Sequence, residues 1–477
     1  MNKSAKFSLK LLIDEKTNKV VLAEAGQDFV DVLMSLLTLP MGKVARLLEN
    51  QKAVLGCYKN LNRSVANMGI DHFETEACKS MLMCPKSTME IHCSRLKLNM
   101  SHTNPTNFFV CPKLFQTTDS CSSRAYSNFN TSRCSCGSLM NAQIPVPEEE
   151  QVGEVIGNNA DGVLVNCRSS FIVTDDLKVS VNSIGLVMQA LNELGYVDCS
   201  DLRETLLDVG FEEVLNLLGC LFTSESPLTC AFLRKTCVTR KHLMLSPPAT
   251  IKGKVCSVKV FVRKLDREIL YAECNEDFIN SLLSFLVLPL ELACSLSNDN
   301  TIFGCVGNLC RSPCRRTASG SCRHPYYYIF SNIHLLNYTS QSVPYDCFIP
   351  RNYYSYSCYK VARSIERSLS DGGKIVRLHP NDPKVKPGTS SGSGSGFMKK
   401  HTKFVVSNDL TITPMNSFST IGLLKKTQVG SISDLEEYQL SISKPELISI
   451  LRASLTSSSA LTIGLSNLLV KKPKEKT

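Results

Sequence analysis

The sequence predicts an α+β fold made of two homologous halves, and three observations carry that expectation. An ungapped shift of 249 positions lays Phe7–Met41 on Cys256–Leu290, so that Lys10, Ala23, Glu24, Asp28, Phe29, Leu33, Leu39 and Pro40 fall on Lys259, Ala272, Glu273, Asp277, Phe278, Leu282, Leu288 and Pro289. In each copy an alternating apolar pattern gives way to a helical stripe, as expected of a β-hairpin leading into a helix. A second unit also recurs: Phe171–Val179 returns as Phe404–Ile412, and Asp201, Leu202, Glu204 and Glu213 return as Asp434, Leu435, Glu437 and Glu446.

Taken in order, Phe7, Leu9, Leu11 and Ile13 alternate with mostly polar neighbours, the period of a half-buried strand. Asp14 to Lys19 contains Thr17-Asn18 and predicts the turn, after which Val20 and Leu22 resume the alternation. Gly26 ends the strand, and Asp28 is placed to cap the following helix. Phe29, Val30, Leu33, Leu36 and Leu37 share one helical face, and Leu39-Pro40 stops the helix because a residue before proline avoids the α region. The second copy repeats this with Val258, Val260 and Val262, then Ile269 and Tyr271, then Phe278, Ile279, Leu282, Leu283 and Leu286. The closing unit is expected to be a strand, a short helical stretch and a longer helix. That helix carries Val214, Leu217, Leu218 and Leu221 and stops near Ser224, mirrored by Leu447, Ile450, Leu451 and Ser454 with a stop near Ser457. A hairpin followed by an amphipathic helix is similar to the opening of a β-grasp domain.

These units set the expected organisation. The first half is 1–245, with a hairpin-helix unit at 6–66, a cysteine-rich segment at 78–144 and a strand-helix unit at 162–235. The second half is 246–477, with units at 256–315 and 398–470, a degenerate middle at 322–380 and a flexible Gly/Ser linker at 387–396. The run Pro145-Val146-Pro147-Glu148-Glu149-Glu150 to Asp161 and Ser246-Pro247-Pro248 read as further linkers. The N-terminus lacks the unbroken apolar core and small-residue cleavage site of a signal peptide, and no apolar run approaches the ~18 residues of a membrane helix. The expectation is an intracellular protein, cytoplasmic or nuclear, with no membrane association.

That address governs the 22 cysteines, which are expected to be thiols or metal ligands rather than disulfides. The group with chemistry in its spacing is Cys111, Cys121, Cys134 and Cys136, separated by nine, twelve and one residues. Cys134-Ser135-Cys136-Gly137 puts two thiols on a tight knuckle whose glycine can take a positive φ. Four thiolates from two chain segments would suit one structural zinc ion in a loop-rich region with little core. Buried reduced thiols are the competing reading, a redox thiol a third, and Cys78, Cys84 and Cys93 could substitute for one ligand. In the second half Tyr327-Tyr328-Ile329-Phe330 replaces Phe108-Phe109-Val110-Cys111, and Cys358 lacks a knuckle partner. Cys305, Cys310, Cys314 and Cys322 read as buried or idle thiols, so any metal is expected in the first half only.

No catalytic signature stands out. Asp371-Gly372-Gly373-Lys374-Ile375 lacks the spacing and hydroxyl of a phosphate loop. Gly392–Gly396 is low complexity, and His72-Phe73-Glu74 is not followed by the Pro-Cys-x-x-Cys of a zinc deaminase. His72 therefore reads as a surface or helix-end histidine. With no catalytic or cofactor-binding residue assigned, duplicated modules point to a non-enzymatic protein-interaction or adaptor protein acting on a protein partner. The alternative is a nucleic-acid-associated protein with a structural zinc segment. It would use the net charge of +10, the tail Lys471–Lys476, and Tyr326–Tyr328 and Tyr353–Tyr359 beside Arg323 and Arg351. Strand tyrosines and a solvated terminus explain the same features.

Leu11-Leu12-Ile13-Asp14, Val20–Gly26, Asp28–Asp31, Leu39-Pro40 and Cys134-Ser135-Cys136-Gly137 together resemble the plant family catalogued as domain of unknown function 674. Val173–Leu177 and Ser224–Thr229 resemble its carboxy-terminal unit. The resemblance covers nearly the whole chain and implies a plant protein with a duplicated layout; it brings no activity, substrate or catalytic residue.

Overall fold

The computed structural model describes residues 5–50, 55–87, 90–100, 107–115, 121–144, 163–165, 170–235, 256–297, 304–312, 346–349, 361–362, 374–376, 379–384, 396–416, 421–422, 425 and 432–470. The fold is α+β. The first hairpin is β1 (Phe7–Asp14) and β2 (Lys19–Ala25), followed by helices α1 (Gln27–Leu36), α2 (Met41–Leu47), α3 (Tyr58–Asn67), α4 (Glu76–Met83) and α5 (Glu90–Cys93). Short strands β3 (Phe108–Val110), β4 (Ala125–Ser127) and β5 (Ala142–Ile144) carry the cysteine-rich segment. Then come β6 (Phe171–Thr174), β7 (Val179–Val181), α6 (Ile184–Glu193), β8 (Leu202–Val209), α7 (Phe211–Thr223) and α8 (Pro227–Phe232). The rest of the chain supplies β9 (Cys256–Arg263), β10 (Ile269–Asn275), α9 (Glu276–Val287), α10 (Leu290–Ser297) and α11 (Gly304–Cys310). It continues with β11 (Asp346–Ile349), β12 (Val361–Ala362), β13 (Lys374–Val376), β14 (His379–Pro380), β15 (Lys403–Ser407), β16 (Ile412–Pro414), β17 (Leu435–Ile442), α12 (Lys444–Thr456) and α13 (Ala460–Gly464).

Two five-stranded antiparallel sheets form the frame, ordered β7-β6-β2-β1-β8 and β16-β15-β10-β9-β17. Their registers coincide at the shift seen in the sequence. Lys10 lies opposite Glu24 and Leu206, and Lys259 opposite Glu273 and Gln439. Each hairpin carries its irregularity at the same place, where Val21 and Leu270 are skipped in the pairing. The turn after β1 closes because the Asp14 carboxylate accepts the N–H of Lys16 and of Thr17, while Asn18 takes φ 49°. The segment after the Gly/Ser run pairs its strands with β10 and β9 and so completes the second sheet.

Buried polar pins recur as well. Asp31 on α1 accepts the backbone N–H of Val163 and Leu164, and Asn280 on α9 accepts those of Phe397 and Met398. The Thr229 hydroxyl accepts from the Val20 N–H and donates to Asp175. The Thr462 hydroxyl accepts from Ile269, and its N–H donates to Asn408. Glu213 and Glu446 reach back to accept the N–H of Gly210 and Ser443, the residues that cap α7 and α12. Buried N–H groups need such partners, so these side chains fix where each following segment must lie.

The two sheets do not sit on separate cores. One continuous apolar cluster runs from Phe7 and Leu33 through Leu286 and Leu451. Pro40 and Pro289, equivalent positions of the two copies, form a mutual bridge; Met41 donates to the Leu288 carbonyl at 2.8 Å and Leu290 to that of Leu39 at 2.9 Å. Beyond this near-twofold crossing each half sends a helix to the other. At α3, Cys57 Sγ donates to the Ser457 carbonyl and Asn60 to that of Asp409; at α11, Cys305 Sγ points to the Ser224 carbonyl and Asn308 donates to that of Asp176. Consequently α1 and α9 are enclosed on every side, with Phe29–Leu36 and Phe278–Val287 buried throughout. A one-faced stripe was expected; helices covered by both halves are buried all round instead, with Asp31, Ser35, Asn280, Ser281 and Ser284 enclosed beside the apolar residues.

Three local expectations change. The cap of α1 is Gly26, with Asp28 in the first turn. The expected single strand at Phe171–Val179 is a hairpin, β6 and β7, turned by Leu177 at φ 62°. The stretch at Asp201–Glu204 opens β8, an edge strand on β1, and β17 repeats this in the second half. In Leu202–Val209 only Val209 is buried and Leu206 is exposed, so the apolar pattern carries no clean alternation and pairing with β1 decides its state. The helix stops at Ser224 and Ser457 are where the sequence placed them.

Candidate metal centre

Strands β3, β4 and β5 bring the four expected cysteines together. Cys111 directly follows β3, Cys121 precedes β4, and Cys134 and Cys136 lie on the turn between β4 and β5. All four sulfurs lie within 4.8 Å of one another. Cys111 Sγ is 3.5 Å from Cys136 Sγ, and Cys121 Sγ is 3.4 Å from Cys134 Sγ. Four sulfurs at 2.3 Å around zinc would sit about 3.8 Å apart along each tetrahedral edge, so the cluster is already near that size.

Local backbone builds each position. The knuckle closes through Gly137 N–H to the Cys134 carbonyl and Cys134 N–H to the Ser138 carbonyl, both 2.9 Å, with Gly137 at φ 89°. An L-residue would be strained there. Leu114 N–H donates to the Cys111 carbonyl, and Cys121 N–H to that of Lys113, which ties the two ligand-bearing loops together. Backbone N–H groups two residues downstream point at three of the sulfurs: Lys113 at Cys111, Ser123 at Cys121 and Ser138 at Cys136. Donors of this kind favour thiolate over thiol and orient the sulfur, the usual role of groups behind a metal ligand.

Electrostatics within the group are uneven. Burial pushes Cys111 far up and Cys121 up to about 11, partly opposed by their N–H donors. At Cys136 burial acts in the same upward direction. It is outweighed by hydrogen bonds from Ser138 and from the thiols of Cys111 and Cys121, which hold Cys136 down at about 6. A dication would supply the charge these thiols need to ionise. Soft sulfur donors, four of them, with preset N–H partners, fit zinc.

The neighbouring cysteines do not join. Cys78 and Cys93 are buried elsewhere, the latter beside Thr38, and exposed Cys84 accepts from Arg46. Cys230 departs from the all-thiol expectation: it is disulfide-bonded. Cys305 pairs structurally with Cys57, as the repeat implied, and Cys310 is half-buried on α11. His72 ends a short 3-10 turn beside Asp71. Cys314, Cys322, Cys358, the tyrosine runs, the Gly/Ser linker and the basic tail lie outside the described residues. Among the described residues no helix is long and apolar enough to cross a membrane.

Sequence reasoning missed one charged group. Lys43 on α2 is 5% exposed and lies 4.0 Å from buried Glu90, which Lys86 also approaches at 3.8 Å. Burial pulls the Lys43 ammonium down to about 8, against the attraction of Glu90. Since the folded value lies below the ordinary one, the unfolded chain binds more protons between about pH 8 and 10.5, and stability rises with pH there. Urea unfolding of wild type and Lys43→Met at pH 7 and pH 10 should show the wild type gaining on the order of 2 kcal/mol relative to the variant at the higher pH. A lone lysine inside an otherwise apolar helical pattern (Met41-Gly42-Lys43-Val44) was the available signal.

No curated protein and no solved structure matches the chain. One family does match, over residues 3–445. Because that match extends over nearly its whole length, the chain belongs to the family described as protein of unknown function, DUF674.

Proposed function

We propose that this protein is a non-enzymatic protein-interaction or adaptor protein, a tandem repeat whose first half holds one structural zinc ion on Cys111, Cys121, Cys134 and Cys136. The observation that carries the metal is the convergence of four sulfurs within 4.8 Å on loops otherwise short of core. Bound zinc would supply a covalent-strength cross-link between those loops, in place of burial they cannot provide. The recurrence of strand order, register and buried pins supports the repeat reading. Exposed apolar side chains on and after α6 support the interaction reading: Ile184 is 86% and Val197 100% exposed, and Met188, Leu194 and Leu206 are exposed as well.

Each part has its test. The full chain expressed with zinc should retain about one zinc ion per chain by metal analysis. Cys134→Ser should lower that content to near zero, whereas Cys84→Ser should leave it unchanged. Retention of no metal by the wild-type chain ends the zinc reading. For interaction, affinity capture with the full chain should recover a protein that the doubly substituted Ile184→Asp, Met188→Asp variant loses at unchanged thermal stability. Capture of nothing above background by the wild type counts against the adaptor role.

A further inference from the structure

The cysteine sheet is completed by a piece of the second half. β14 pairs in parallel with β4, His379 opposite Ala125 and Pro380 opposite Tyr126. Asn381 extends the contact: its N–H donates to the Tyr126 carbonyl at 2.7 Å and its side-chain amide to that of Arg133 at 3.3 Å. Arg133 is the residue before Cys134, so the turn that presents two sulfurs also holds Asn381. Further along, the Thr75 hydroxyl at the start of α4 donates to the Pro383 carbonyl at 2.7 Å. Lys384 is fully buried, its ammonium 3.8 Å from Asp382 and 5.5 Å from the centre of the Phe397 ring.

Apolar burial in this sheet is uneven: Phe108, Val110, Tyr126 and Ile144 are buried, whereas the small core under the knuckle itself consists of Cys111, Cys134 and Met140. Its three strands are three residues long and β14 is two. Strands this short are not stable on backbone pairing alone. Docking 379–384 also takes a lysine out of water, a cost that its pairing with Asp382 offsets.

We infer that the cysteine centre is a latch between the two halves: metal on Cys111, Cys121, Cys134 and Cys136 keeps the His379–Lys384 segment docked on β4, and its removal releases that segment. This inference rests on the zinc reading above. The released segment carries Asp382 and Lys384 into solvent and leaves the β4 edge open, while the two large sheets, built on the main core, stay intact.

The test is hydrogen exchange on the full-length protein as isolated with zinc, after chelation, and after zinc is restored, with metal content measured in each sample. Peptides covering 379–384 and 125–128 should exchange about tenfold faster or more without metal and recover on its return, while those covering β1 and β8 should not change. Asn381→Ala should speed exchange at 379–384 with zinc content unchanged. Metal loss without faster exchange at 379–384 overturns the latch and leaves the zinc site standing. A wild-type chain that retains no metal overturns both.

Discussion

Gly56→Val is expected to lower the unfolding free energy of the whole protein by about 3–5 kcal/mol, read by urea denaturation. Gly56 stands just before α3, where that helix meets the second half. A Cβ there would lie 2.4 Å from the Ser457 carbonyl oxygen and 2.8 Å from its carbon. These are backbone atoms at the end of α12, so no side chain can swing aside. Valine must push the first turn of α3 off the second half, loosening the Cys57 bond to Ser457 and the Asn60 bond to Asp409. Because one core serves both sheets, the loss should appear as faster hydrogen exchange in α13 and β16 as well as in α3. Gly185→Ala is the control: nothing lies within 4 Å of that position on exposed α6, and alanine should stabilise by about 0.5–1 kcal/mol. A Gly56→Val protein within about 1 kcal/mol of wild type would mean the exchanged helix contributes little.

Thr229→Val should cost about 2–4 kcal/mol, and more than Thr462→Val. Thr229 is fully buried; its hydroxyl accepts the Val20 N–H at 2.9 Å and donates to Asp175 at 2.6 Å. Valine keeps the volume and leaves the Val20 amide without its acceptor and a buried carboxylate short of a donor. Burial already pushes the Asp175 carboxyl upward, so losing the Thr229 hydroxyl, which favours the ionised form, should raise it further. At equivalent Thr462 the facing residue is neutral Asn408, so the penalty is limited to the Ile269 amide. Chemical denaturation of both variants checks the order; equal costs would show that the charge on Asp175 adds nothing. The Thr229→Val deficit should shrink as pH falls through the raised carboxyl range, where a neutral acid needs the lost donor least.

Much of this was legible in the residues. Period-two alternation in Phe7–Ile13 and Val258–Val262 gave both hairpins because each strand has one face on the core. Ser224 and Ser457 marked helix ends correctly, since a stop in apolar periodicity is a local property. The four ligand candidates were nameable because sulfur chemistry narrows the choice and the Cys-Ser-Cys-Gly knuckle is a local turn. Edge strands β8 and β17 were not read as strands: only Val209 in the first and Leu440 and Ile442 in the second are buried, and they draw their state from the strand beside them. Nor was the Lys43–Glu90 pair, whose members lie far apart in sequence and meet only through packing.

By itself the amino-acid order determined the α+β class, the hairpin-helix units and the cysteines able to reach one another, because periodicity, turn chemistry and capping act over a few residues. Only the tertiary structure decided that α3 and α11 cross to the opposite half, that Pro40 meets Pro289, and that His379–Lys384 returns to the cysteine sheet. Those contacts join residues from 81 to 400 positions apart. Their free energy comes from excluding water across a shared core, a quantity that no stretch of the chain contains alone.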